Sequence, residues 1–170
     1  RRRAGPRVAR HPVRKATLSI PLIRSEIEAS GKSYGYHLLS QQTEPAPAPV
    51  TQRFALANNA RLLHVVALHE ADGDPFVIED RWINSSIMPH LVDVSFAELS
   101  ANEWLLQNTP FTHGDIDFGA KNASQREAEL LATEPDKALF VISRTTWDQT
   151  TAVTMVELVF HAGHRKHTRL

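Results

Sequence analysis

The residues best suited to chemistry lie in one short stretch, residues 75–84, which reads PFVIEDRWIN. Its composition predicts a β-strand, and a period of two places Val77, Glu79, Arg81 and Ile83 on one face. The other face then carries Phe76, Ile78, Asp80, Trp82 and Asn84. Because charged groups fall on both faces, one face should line a polar cavity or carry a buried ion pair. The alternative is that Glu79 and Arg81 pair on a solvated surface.

Two further places could contribute to a binding site. His69 lies ten residues before Glu79 on the preceding predicted strand, although a lone strand histidine is often an ordinary sheet residue. Asn102 and Trp104 open a predicted helix, where free backbone N–H groups favour an anion. Trp104 could equally belong to the core, because Leu105 and Leu106 follow it.

Several kinds of chemistry lack support in this sequence. His161, His164 and His167 suggest a metal site, but their spacing spreads them over different faces and no acid lies nearby to complete the ligand set. The chain has no cysteine, no GxSxG motif and no glycine-rich phosphate loop. We therefore predict no metal, no cofactor and no covalent catalysis.

The composition of the chain is typical of one globular domain. It has 170 residues, 42% of them apolar, and 19 basic residues balance 19 acidic ones. No apolar run approaches the roughly 20 residues that cross a bilayer, which predicts a soluble protein without a membrane partner. Residues 1–15 hold seven cations and no acid, whereas residues 16–160 hold nine cations and nineteen acids. Only the basic arm could therefore contribute to binding a nucleic acid backbone.

The elements that must position these residues follow from capping, periodicity and turns. We predict helices at residues 17–31 and 51–58, and two more that begin at Ser100 and Ser124, each of which has a glutamate three positions later. Predicted strands cover residues 36–43, 62–70, 76–84, 111–120, 137–147 and 151–160. Asp72-Gly73 forms a tight turn, and the prolines of residues 45–49 form a stiff connector. The pattern predicts an α+β fold with helices on an antiparallel sheet.

Four runs of residues together resemble a known family. They are DGDP (72–75), EDRWIN (79–84), NEWL (102–105) and RTTW (144–147). They resemble the UTRA effector-binding domain of GntR-superfamily transcription regulators, and most of all its histidine-utilization repressor (HutC) type. The resemblance implies a chorismate lyase-like antiparallel sheet flanked by helices over residues 17–170. Residues 1–16 are then a basic arm, the remnant of a winged-helix wing plus a linker.

The resemblance also implies a function. Such domains are homodimeric, cytoplasmic and not enzymes, and their effector controls operator DNA binding by an attached winged helix-turn-helix domain, which is absent from this chain. The HutC type responds to urocanate. By position, the resemblance implies effector contacts for Glu79, His69, Asn102, Trp104 and His161. Ala67 stands where sugar-phosphate-responsive relatives carry an arginine, which argues against a phosphorylated effector.

Urocanate combines an imidazole with a carboxylate. Its ring requires a hydrogen-bond acceptor, for which Glu79 is suited, and its carboxylate requires a cation, for which Arg81 or Arg144 is suited beside the helix start at Asn102. Two alternatives stay open: a chorismate lyase-like enzyme, and a stand-alone effector-binding or dimerisation module.

Overall fold

The computed structural model describes residues 22–167, which form one antiparallel sheet of six strands in the order β1-β2-β3-β6-β5-β4. The strands are β1 (Tyr34–Pro45), β2 (Arg61–Ala71), β3 (Asp74–Ile83), β4 (His113–Asn122), β5 (Ala138–Asp148) and β6 (Thr151–Phe160). The helices are α1 (Ile23–Ala29), α2 (Ala48–Arg53), α3 (Ala101–Asn108) and α4 (Gln125–Leu130), with 3-10 turns at Ser85–Ile87 and Pro89–Asp93. The predicted α+β class is confirmed.

Some predictions concern residues outside the described range. The basic arm and the first part of the predicted helix at residues 17–31 lie there. Within residues 22–167, no helix is long and apolar enough to cross a bilayer.

The hairpin of β2 and β3 forms around the predicted Asp-Gly turn. Asp72 and Gly73 have φ angles of 57° and 83°. A two-residue type I′ turn requires a positive φ at both of its central residues, and these two residues meet that requirement. The Asp72 carboxylate also accepts a hydrogen bond from the Ser33 backbone N–H at 2.8 Å. This turn sets β3 against β2, and β3 pairs with β6 on its other side, so Glu79 lies opposite Ala67 and Leu158.

The two faces of the sheet are covered by different helices. The α3 face, which includes Val77, Glu79, Arg81 and Ile83 of β3, packs against α1, α3 and the segment with the 3-10 turns. The opposite face, here called the α4 face, packs against α2 near one end and α4 near the other. The charged residues of β3 on the α3 face are therefore enclosed between sheet and helices.

The prolines of residues 45–49 do not form the predicted connector. Pro45 is the last residue of β1, an edge strand, where a missing N–H is tolerated. Helix α2 begins at Ala48 with a proline in its first turn, where the N–H would have no intrahelical acceptor anyway. The predicted connector is wrong because Pro45 and Pro49 lie within regular elements, at positions that accept proline, and Pro47 is the residue directly before α2.

The two predicted capping boxes differ. At α4 the Ser124 hydroxyl accepts from the Glu127 backbone N–H, and the Glu127 carboxylate accepts from the Ser124 backbone N–H at 2.9 Å. At α3 the Ser100 hydroxyl caps the Glu103 N–H at 3.2 Å, but the Glu103 carboxylate instead accepts from Arg24 Nε at 2.7 Å. The second box is thus half formed, and its glutamate joins α3 to α1.

We expect Ser124→Ala to lower the free energy of unfolding by about 1 kcal/mol, because the Glu127 backbone N–H loses its acceptor and the Glu127 carboxylate loses the hydrogen bond from the Ser124 hydroxyl. Ser143→Ala, in the middle of β5, serves as the control and should change stability by less than about 0.5 kcal/mol. Urea unfolding followed by circular dichroism measures both. Equal effects of the two substitutions would contradict the capping role.

Candidate functional site

Glu79 and Arg81 form a buried ion pair on β3. Arg81 Nε donates to Glu79 Oε1 at 2.5 Å, and each side chain is only 1% exposed. The pair is therefore enclosed, and the alternative of a solvated surface pair is wrong. Two residues apart on one strand face, the side chains lie side by side, which explains how strand geometry brings them into contact.

His69 completes this pair from the neighbouring strand. Its Nε2 lies 2.9 Å from Glu79 Oε2, and its Nδ1 lies 2.8 Å from the Tyr34 hydroxyl. Burial by itself raises the pKa of Glu79, but the charge of Arg81 and the hydrogen bond from His69 hold it well below its usual range. Because an ionised carboxylate only accepts, His69 Nε2 carries the proton, and Nδ1 accepts from Tyr34 when the ring is neutral. Both Glu79 oxygens are thus engaged within the protein.

Asn102, at the start of α3, bridges two arginines. Its amide oxygen accepts from Arg81 Nη2 at 3.0 Å and from Arg144 Nη2 at 2.6 Å. Arg81 Nη1 also donates to the Thr154 hydroxyl at 3.2 Å. The hydrogen bonds of Arg81 therefore run from Glu79 on its own strand to the helix above the sheet.

Arg144, on β5, is a buried cation without an acidic partner. It is 7% exposed, and no carboxylate among residues 22–167 lies within ion-pair distance of it. Its Nε has no hydrogen-bond acceptor in this part of the chain. Burial, reinforced by the nearby charge of Arg81, lowers the pKa of Arg144 to about 9, so the group is still mainly protonated at neutral pH. The site therefore carries one positive charge that no anion balances.

A small cavity borders this cation. Its volume is about 20 Å³, which is room for about one water molecule, so a larger ligand would require the surrounding side chains to move. Arg81, Asn102 and Arg144 supply its charged and amide wall. The hydroxyls of Thr146 and Thr154 and the apolar side chains of Leu105, Leu106 and Phe111 also line it. Its lining places cations and polar side chains on one side and apolar groups on the other, which is a chemical environment that favours an anion with an apolar part.

The structure brings five predicted site residues together and leaves two apart. Glu79, His69, Arg81, Asn102 and Arg144 form one connected cluster. Trp104 is half-buried beside Phe96 and His90 in the core beneath α3 and does not line the cavity. His161 follows β6, where its ring lies 5.6 Å from that of Phe76, beside a different cavity.

Sequence reasoning missed the tyrosines and the link between helices. Tyr34 contacts His69, and the Tyr36 ring lies 5.2 Å from the His69 ring with its edge toward it. Arg24 lies over the Tyr34 ring at 4.2 Å while it binds Glu103. The shared parity of Tyr34 and Tyr36 was the available signal, but only the register of β1 on β2 shows that both reach His69.

Comparison with known proteins identifies the family. The family model of the UTRA domain matches residues 29–165. The histidine utilization repressor of Pseudomonas putida is 29% identical over 161 residues, which is 95% of this chain and 64% of that protein. The histidine utilization repressor of Klebsiella aerogenes is 24% identical over 92% of this chain and 65% of its own length. The chain thus spans a little under two-thirds of these relatives.

Solved structures agree with this assignment. The C-terminal domain of a histidine utilization repressor from Pseudomonas syringae pv. tomato superposes with a TM-score of 0.75 at 25% identity, covering 81% of this chain and 99% of that one. The effector domain of PhnF from Mycobacterium smegmatis gives a TM-score of 0.71 at 19% identity, covering 81% and 86% of the two chains, and shares the fold. From the family match and these relatives, the chain belongs to the UTRA domain family.

Proposed function

We propose that this domain is the effector sensor of a histidine-utilization type repressor and that it binds a small monocarboxylate, with urocanate favoured. The observation that carries the proposal is Arg144, a buried cation without an acidic partner in the described part of the chain, at the wall of a small cavity. The histidine utilization repressors among its relatives support the choice of effector.

The charge balance of the cluster favours one negative charge. Glu79 compensates Arg81 at 2.5 Å, whereas nothing in residues 22–167 compensates Arg144. A carboxylate that accepts from Arg144 would neutralise it and satisfy its free Nε. A phosphate monoester carries up to two negative charges and would leave the pocket with an excess of negative charge. The buried cluster therefore suits a monoanion.

The geometry also refines the role of each residue. Because both oxygens of Glu79 are engaged by Arg81 and His69, we propose that Glu79 positions these two side chains and does not bind the effector ring directly. The imidazole of urocanate would instead lie between the Thr146 and Thr154 hydroxyls and the apolar wall at Leu105, Leu106 and Phe111. Trp104 and His161 would then make no direct contact with the effector.

The names of the relatives, histidine utilization repressors, support a role for the domain in transcription regulation. We propose that the domain works in the cytoplasm as a homodimer and that it binds its effector without turning it over. Operator DNA would be contacted by an attached winged helix-turn-helix domain. The chorismate lyase-like alternative requires turnover, so recovery of unchanged ligand after incubation with chorismate or urocanate separates a sensor from an enzyme.

We expect Arg144→Gln to weaken urocanate binding about tenfold to a hundredfold, because one charge-assisted hydrogen bond contributes about 1.5–3 kcal/mol. The same substitution removes an uncompensated buried charge, so the ligand-free variant should melt no lower than the wild type. Isothermal calorimetry and thermal unfolding measure the two effects. Arg126→Gln on the exposed side of α4 is the control, and unchanged affinity in Arg144→Gln would contradict the proposal.

A ligand panel tests the effector class. At a hundredfold excess over Kd, a ligand should stabilise the fold by about 2.7 kcal/mol. Urocanate should raise the melting temperature most. Histidine should do less, because its α-ammonium group would be desolvated near Arg144. Glucosamine-6-phosphate should do least, and a larger shift with the sugar phosphate would overturn the choice of effector while leaving the family assignment intact.

Glu79→Gln tests the positioning role through pH. At neutral pH the variant should lose about 3 kcal/mol of stability, because Arg81 stays buried without its counter-charge. Since the pKa of Glu79 is lowered on folding, its contribution is fully present above the ordinary carboxyl pKa of about 4.3 and is lost as the pH falls below it. The difference in the free energy of unfolding between wild type and variant, measured by urea unfolding, should therefore become smaller below that pH. Glu134→Gln, an exposed control, should show no such convergence, and a constant gap for Glu79→Gln would contradict the role.

A further inference from the structure

The cavity beside Arg144 is closed in this structure. Its volume of about 20 Å³ is room for about one water molecule, and urocanate is several times larger than water. A ligand of that size can reach Arg144 only if one wall of the cavity moves. The wall that is held by the fewest bonds is the one expected to move.

The sheet supplies the most firmly held wall of the cavity. The residues that line the cavity from the sheet lie on β3, β5 and β6, namely Arg81, Arg144, Thr146, Val153 and Thr154. Each of these strands pairs with a neighbour along both of its edges. Displacing one of them by the width of a ligand would break the hydrogen bonds of two strand pairs. The sheet is therefore the rigid floor of the cavity.

Helix α3 supplies a second firmly held wall. Its first turn is tied to the floor, because the Asn102 amide oxygen accepts hydrogen bonds from both arginines of the cavity at 3.0 and 2.6 Å. Glu103 binds Arg24 of α1, and Leu105 is only 6% exposed in the core. Moving α3 away from the sheet would thus break several charge-assisted hydrogen bonds and expose core side chains.

The α3–β4 loop, residues 109–112, is the weakly held wall. Thr109 donates its N–H to a carbonyl of α3 at 2.9 Å, and Thr112 donates its N–H to a carbonyl of β5 at 2.8 Å. Between these two anchors Pro110 has no N–H, and Phe111 forms no backbone hydrogen bond among residues 22–167. Phe111 lines the cavity and is nevertheless 45% exposed. These two residues are therefore held in place by side-chain packing alone.

We propose that this loop is a gate, in which Pro110 and Phe111 swing away from Arg144 to admit the effector and then return over it. The identity of the ligand rests on the function proposed above, whereas the motion belongs to the ligand-free domain. Because Thr109 and Thr112 stay bonded, the motion requires changes only in the backbone torsions of the loop. In the closed domain Phe111 keeps water from the buried cation, which strengthens the attraction of that cation for an anion.

Covalent labelling of Arg144 tests the gate without any effector. Phenylglyoxal reacts with the guanidinium group of arginine and is larger than the cavity, so it reaches Arg144 only when a wall opens. We expect Phe111→Ala to raise the labelling rate of Arg144 about fivefold to tenfold, because removal of a half-buried ring lowers the free energy of opening. Mass spectrometry of peptides measures the rate, and the exposed Arg126 is the internal reference for reagent reactivity.

Urea distinguishes a moving loop from unfolding of the whole domain. In the wild type, urea below the unfolding transition should hardly change the labelling rate of Arg144, because a loop motion exposes little new surface. Phe76→Ala removes another half-buried phenylalanine, at the start of β3, and should leave the labelling rate unchanged in the absence of urea. Labelling that rises steeply with urea, or equal rates in Phe111→Ala and Phe76→Ala, would overturn the proposal.

Stopped-flow mixing with urocanate, followed by tryptophan fluorescence, separates the gate from the proposed effector. Phe111→Ala should raise the association rate constant about fivefold to tenfold, whereas loss of a contact with the bound ligand alone would raise only the dissociation rate constant. A variant that binds urocanate with the association rate constant of the wild type would contradict the gate. If the wild type does not bind urocanate, the proposed effector is wrong, and the labelling rates still decide whether the loop is a gate.

Discussion

The buried contact between Glu79 and Arg81 is the constraint on which the site depends. Two charges taken out of water are costly, and their mutual attraction offsets that cost only when further hydrogen bonds satisfy the remaining atoms. Here His69 binds the second oxygen of Glu79, while Asn102 and Thr154 accept from the other nitrogens of Arg81. Each of these partners is therefore fixed in position, and α3 must lie where Asn102 can reach the sheet.

This requirement couples parts of the chain that are distant in sequence. Glu103 follows Asn102 directly, and its carboxylate binds Arg24 of α1 at 2.7 Å. Arg24 in turn covers the ring of Tyr34, whose hydroxyl contacts His69. The contacts thus form a closed circuit through α1, β1, β2, β3 and α3. A displacement of α3 at the cavity has a direct physical route to α1, the first helix in the described part of the chain.

Local signals in the sequence predicted most of the elements, whereas non-local contacts decided the site. The Asp72-Gly73 turn, the Ser124 box and the period of two in β3 each depend on neighbouring residues and were predictable. We expected Glu79 to bind the effector directly, which requires one of its carboxylate oxygens to be free of contacts within the protein. Only the folded structure shows that His69 and Arg81 each bind one of the two oxygens. The missing counter-charge of Arg144 is likewise invisible in sequence, because nineteen acidic residues were available to supply it. Trp104 and His161 sit at positions matched by resemblance, and the spacing of residues gave no information on where their rings point.

The uncompensated charge of Arg144 has a consequence for the lifetime of the protein. A domain that holds a desolvated cation without an anion opens more readily than the same domain with the charge neutralised, and proteases cleave mainly the opened state. Neutralisation of this charge by the proposed anion would then slow degradation. If the proposed function is correct, the domain without a bound anion would be degraded faster than the domain with one.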